Sequence, residues 1–365
     1  PPPFSSRRRH TRWNCSSRGL GDVYKRQALG TTLSMAFSQI INWPLSYMAA
    51  VFTMFLLATP LPAPGLKSGF KFTLALVLPA YLSMMLIPFL VHARWAGIIL
   101  VIMALFGSFY YSTRGGSPIM GMFMTIGITL VVTVGSVSPE AMILVVDAIA
   151  VSALAGISFV MIAHALLPDL PVKRPTAPGG AGPPPSTPPM PLKSQARRNA
   201  FRALMVMLPL VLIFLFISSS TAYVAMMIKV SSMGQQANAE ASRNMGREQL
   251  ESTLWGGLGA IIAFQVMVAW HSLPLFCLVI AIACLVYGKR IFRGAGMHPR
   301  GAMWSYALLT MIILLTPALT GGGDISGAFY SRLFLFILIA VYGTISVAIF
   351  DAFWPAKAVR QQAAR

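Results

Sequence analysis

Charge is what this sequence has least of. Only 10% of its 365 residues are charged and 56% are hydrophobic, whereas soluble domains carry about 25% charged residues. That excludes an ordinary soluble globular domain. Acids are the scarcer sign, nine against 28 Lys and Arg. The net charge of +19 does not point to nucleic acid, because the basic residues sit in short loops between long apolar runs. Three cysteines, Cys15, Cys277 and Cys284, imply neither a disulfide framework nor a zinc site. The sequence also lacks a Walker loop, a dinucleotide fingerprint, an HExxH pair and a nucleophile elbow in a usable context. These absences exclude ATP-driven work by this chain alone. They leave no catalytic set for an intramembrane enzyme, and no cofactor or metal is implied.

What is present is apolar length. The mean hydropathy is +0.71, and a helix needs roughly 20 apolar residues to cross a bilayer. Runs at 28–43, 45–63, 70–91, 95–112, 117–136 and 139–167 give six spans, and 202–219, 221–234, 251–270, 272–288, 302–319 and 326–354 give six more. Between the two sets lies a stretch from Pro168 to Arg202 dense in proline and glycine, which blocks helix and sheet and predicts a tether over 169–200. Loops bearing Lys67, Arg114, Arg243, Lys289, Arg300 and Lys357 alternate with loops poor in Lys and Arg. The positive-inside rule then places the linker and both termini in the cytoplasm. The predicted fold is an all-α polytopic membrane protein of about twelve helices. It divides into a first half at 28–168, a second at 201–357 and a short tail at 358–365.

The second half echoes the first. SYMAAVFTM near Tyr47 answers AYVAMMIKV near Tyr223, His92 answers His271, Arg114-Gly115-Gly116 answers Arg293-Gly294-Ala295, and HALLP ending at Pro168 answers DAFWP ending at Pro355. Six spans per half predict a parallel repeat about an axis along the membrane normal, with function at the seam. Residues 1–27 lie outside this pattern. FSSRRRHTR and DVYKRQ resemble translated sequencing-adapter sequence, so 1–27 is expected to be a non-native, unstructured tail.

Each half has two spans with a Pro/Tyr/Trp break, a basic turn and four further spans closing on a proline. Asn42-Trp43-Pro44-Leu45-Ser46-Tyr47 is the break itself. In this layout the chain resembles the fusaric acid resistance and aromatic acid exporter group, and also a bacterial inner-membrane domain family of unknown function placed near those exporters. The resemblance implies an inner-membrane exporter of small organic anions, aromatic ones included, driven by the proton gradient. It also implies a periplasmic membrane-fusion adaptor with an outer-membrane channel beyond it. A homo-oligomer is compatible with it, and so is a membrane scaffold that transports nothing.

A few polar residues then stand out. Asp147 is the one acid well inside an apolar span; it reads as a proton-coupling carboxylate or as a structural acid paired with an arginine. Lys229 either attracts an anionic substrate or snorkels to the headgroups. Arg114 and Arg293, in matching glycine-rich turns, either hold anions or only obey the positive-inside rule. His164 and Asp351 occupy equivalent places near the ends of the sixth spans, as relays or as interfacial polar residues. Trp43, Pro44, Tyr47 and Tyr223 mark the span breaks as gating candidates.

Overall fold

In lipid every backbone N–H and C=O has to be satisfied within its own segment, which makes helices of these apolar runs. The computed structural model describes residues 13–59, 63–168, 193–216, 228–231, 245–293, 296–320 and 325–354. Its first half holds α1 (Trp13–Ile41), α2 (Tyr47–Ala58), α3 (Leu66–Met84), α4 (Ile87–His92), α5 (Arg94–Thr113), α6 (Pro118–Gly135) and α7 (Pro139–Leu166). Its second holds α8 (Lys193–Phe216), a helical piece at 228–231, α9 (Met245–Ala269), α10 (Leu273–Ile291), α11 (Gly301–Thr320) and α12 (Ile325–Phe353). A two-residue antiparallel pairing, Phe292–Arg293 with Gly296–Met297, joins α10 to α11. Serines at 117, 138 and 272 cap α6, α7 and α10, each with a proline in the first helical turn.

This is a multi-pass helical membrane protein. Among the described residues eight helices are long and apolar enough to cross a bilayer, not the twelve expected from the sequence. For two of the four missing spans the difference has a physical cause. Thr31, Ser34, Ser38 and Gln39 dilute the apolar part of α1. α2 runs for only 12 residues, and 11 of them are buried, so it fills the interior rather than facing lipid. Of the expected span at 221–234 only 228–231 is described.

Both domain boundaries move outward from their expected places. α1 runs unbroken through residue 27, and Arg26 and Gln27 are buried, at 5% and 0% exposure. Val23 and Tyr24 pack against the core. The tail read as 1–27 therefore extends into the fold, because a helix that must bury its inner face begins before its apolar run does. Likewise α8 starts at Lys193, inside the predicted linker, with Ala196, Asn199 and Ala200 buried.

The contacts of one half recur in the other. α3 packs on α6 and α7 as α9 packs on α11 and α12; α5 meets α6 as α10 meets α11; α1 meets α7 as α8 meets α12. Between the halves the pairing is reciprocal, with α1 against α10 and α5 against α8. The same positions turn inward in α5 and α10: Gly97, Val101, Leu105, Ser108 and Phe109 match Phe276, Ile280, Cys284, Tyr287 and Gly288, each 179 residues on. Two arginine clasps complete the correspondence. Arg26 Nε donates to the carbonyl of Leu167 at 2.9 Å, and Arg198 Nε donates to that of Trp354 at 3.2 Å. Each carbonyl belongs to the residue just before the proline that closes its half.

A charge-assisted bond of this kind stabilises by about 1.5 kcal/mol. Arg26→Ala is therefore expected to lower the melting temperature of the purified protein by a few degrees, while removal of residues 1–22 leaves it unchanged. An unaltered melting curve for Arg26→Ala would return Arg26 to the tail.

Candidate functional site

The two halves meet around a buried lysine. Lys229 is 1% exposed, and its ammonium donates to Thr310 Oγ1 at 3.2 Å. Thr310 is the tenth residue of the 20-residue α11, so the charge lies near mid-depth and has not snorkelled to a headgroup. A cation at that depth costs about 2.5–3.5 kcal/mol on insertion scales, and the Thr310 hydroxyl accepts from it. Thr310 Oγ1 donates in turn to the Tyr306 carbonyl at 2.9 Å.

Two residues on, Ser231 Oγ shares a 2.9 Å hydrogen bond with Thr129 Oγ1 of α6, from the other half. Thr125 and Thr129, four apart, lie on one face of α6. Thr129 donates to the Thr125 carbonyl at 2.8 Å, and Thr125 pairs with Ser108 of α5 at 2.7 Å. The result is a lane of hydroxyls running from α5 across α6 to the segment that carries Lys229.

On the α2 side the seam is aromatic. Phe123 of α6 packs edge-on against Phe52, Phe55 and Phe72, and Phe55 meets Tyr306 of α11 with ring centroids 5.8 Å apart. Tyr306 and Thr310 are one turn apart on α11. A cation with hydroxyls thus lies beside an aromatic wall, an arrangement suited to a small anion with an apolar body.

The other polar residues singled out in the sequence are dispersed. Asp147 lies on the exterior of the bundle, where it accepts a 2.9 Å hydrogen bond from the hydroxyl of Tyr81 on α3. It does not reach the seam. Asp351 pairs with Arg198 at 3.0 Å and Arg202 at 3.1 Å, both on α8. His164, its positional equivalent, is buried, with Nδ1 2.9 Å from the Val160 carbonyl. These two positions thus hold different chemistry.

Arg114 lies with its guanidinium 6.0 Å from the centre of the Tyr110 ring. Arg293 contributes backbone to the two-residue pairing; its side chain, with Gly294 and Ala295, lies outside the described residues, as does Tyr223. At the break, Trp43 Nε1 donates to Ser152 Oγ of α7 at 3.0 Å, Pro44 is exposed and Tyr47 is buried. Asn42 and Leu45 take φ of 56° and 55° there. Asparagine tolerates the left-handed region, but leucine does so only under strain.

One charged residue inside a span escaped the sequence reading. Arg332 is the single arginine inside the apolar helix α12, and its Nη1 is buried with no hydrogen-bond partner among the described residues. The signal was there: a lone guanidinium in a 29-residue apolar run.

Over residues 26–165 the chain matches a family described as a protein of unknown function, DUF2955, an uncharacterised bacterial membrane-type family. The match begins at Arg26, the first clasp residue, and spans the first half. It carries no activity, and it is not a match to the fusaric acid resistance exporters. No curated protein and no solved structure matches the chain.

Proposed function

We propose that this protein is an exporter of small organic anions in the bacterial inner membrane, with its path along the seam between two six-span repeats. The observation that carries the reading is Lys229, a fully buried ammonium at mid-depth, bonded to the Thr310 hydroxyl one turn along α11 from Tyr306, whose ring meets Phe55 of the other half. An anion entering the seam gains this charge in a low-dielectric setting, where it is worth far more than in water. The reciprocal α1–α10 and α5–α8 pairing and the twin arginine clasps support a parallel repeat. In that reading α1, α2, α6 and the segment around 228–231 complete twelve crossings, and the Lys/Arg-bearing loops, the linker and both termini face the cytoplasm. A periplasmic adaptor and an outer-membrane channel fit an inner-membrane exporter of this design.

One observation favours a second reading. A carboxylate exposed on the lipid-facing side, as Asp147 is, invites a neighbour in the membrane, which suits a scaffold or a homo-oligomer.

The test is exchange of labelled benzoate by purified protein in vesicles. Protein-containing vesicles are expected to exchange benzoate well above protein-free ones and to ignore labelled choline. Asp147→Asn should keep exchange and lose accumulation driven by a pH gradient if Asp147 couples the proton. Exchange no faster than in protein-free vesicles would favour the scaffold.

A further inference from the structure

We propose that Arg332 forms a second anion-binding station, nearer the periplasmic end of the seam than Lys229. The inference rests on the exporter reading above and names the next stop on its path. Arg332 is the eighth residue of α12, about 10 Å from the start of that helix at a rise of about 1.5 Å per residue. Thr310, which holds Lys229, is roughly 15 Å from the end of α11 that connects to α12, on the same rise. The two cations therefore sit at depths about one turn apart, Arg332 nearer the exit.

The direction of the side chain follows from its neighbours. Phe329 and Phe336, three before and four after it, are both fully buried, so Arg332 shares the inward face of α12. Phe329 is fixed there by stacking on Phe264 of α9 at 4.3 Å. An arginine on the lipid side near a helix end would extend to the headgroups; this one buries Nη1 without a partner among the described residues.

A guanidinium offers five donors in a planar fork, the geometry that takes both oxygens of a carboxylate or of a similar oxyanion. Leaving one of those donors buried and unused costs free energy that a bound oxyanion recovers. A planar bidentate site near the exit and a point charge at mid-depth suit a carboxylate handed from one to the other.

The experiment compares membrane vesicles of the two orientations, with labelled benzoate as probe. Arg332→Gln is expected to raise the half-saturating benzoate concentration about tenfold when benzoate is offered to the periplasmic face, and to leave it within about twofold at the cytoplasmic face. Arg332→Lys, which keeps the charge and loses the fork, should fall between wild type and Arg332→Gln. Unchanged half-saturation at both faces overturns the proposal, and so does an equal loss at both, which assigns Arg332 a structural role. If wild type shows no exchange, or Lys229→Met exchanges normally, the exporter reading itself fails. Exchange that depends on Lys229 but not on Arg332 removes only the second station.

Discussion

Lys229→Met is expected to lower benzoate exchange at least tenfold while the protein inserts and purifies as wild type does. Methionine keeps the length and flexibility of the side chain and removes the ammonium, so the seam stays filled without a binding charge. A tenfold loss corresponds to about 1.4 kcal/mol, and a charge-assisted hydrogen bond to an anion in a dry site is worth that or more. Stability should move in the opposite direction. Burying the cation is costly, and a well-packed apolar replacement is often neutral or stabilising. The combination of lost exchange and an equal or higher melting temperature separates a binding group from a structural one. Lys229→Arg keeps the charge and should retain part of the exchange. Lost exchange with a lower melting temperature would instead mark Lys229 as a structural member of the seam.

Gly256→Leu is expected to prevent recovery of folded protein. A Cβ at Gly256 of α9 would clash with the Ala307 carbonyl oxygen and stand 2.7 Å from Thr310 Cβ, both on α11. Neither is the mobile end of a side chain, so α11 would have to move and carry Lys229's partner with it. Overpacking costs typically 1–3 kcal/mol, and a clash with backbone belongs at about 3 kcal/mol or beyond. Gly107→Leu is the matched control, because a Cβ there meets nothing within 4 Å. It should purify and melt as wild type does. Size-exclusion profiles of the two variants side by side decide the matter. Equal behaviour would mean that α9 and α11 are not held in this close contact.

The sequence located the helices well because the apolar runs and their basic loops report directly on the bilayer. The spans expected at 95–112 and 139–167 correspond to α5 and α7 within a residue or so at each end. Ser152 and Gly156, and Gly256 and Ala260, have the four-residue spacing of small side chains that lets helices approach closely, and the structure gives the glycines partners: Gly156 against Phe52 and Ala49 of α2, and Gly256 against α11. What could not be read was which face of each span turns inward. Hydropathy ranks Asp147 as the intramembrane charge of most interest, yet its helix turns it outward to Tyr81. The same reasoning left Lys229 free to snorkel, and its hydrogen bond to Thr310 of α11 holds it at mid-depth instead. Arg26 was hidden by the foreign look of the residues before it. Its role appears only when the carbonyl of Leu167, 141 residues away in sequence, arrives beside it.

The claim at the centre of this account is that a positive charge at position 229 binds the travelling anion inside the seam. It is tested most directly by removing that charge and restoring it chemically. In a background free of Cys15, Cys277 and Cys284, Lys229→Cys is expected to exchange benzoate poorly. Treatment with an aminoethyl thiosulfonate, which rebuilds an ammonium at nearly the original reach, is expected to return exchange to near the level of the cysteine-free parent. A sulfonatoethyl reagent, which installs a negative charge at the same atom, should leave exchange abolished. Full exchange by Lys229→Cys before any treatment, or equal recovery with both reagents, would contradict the account.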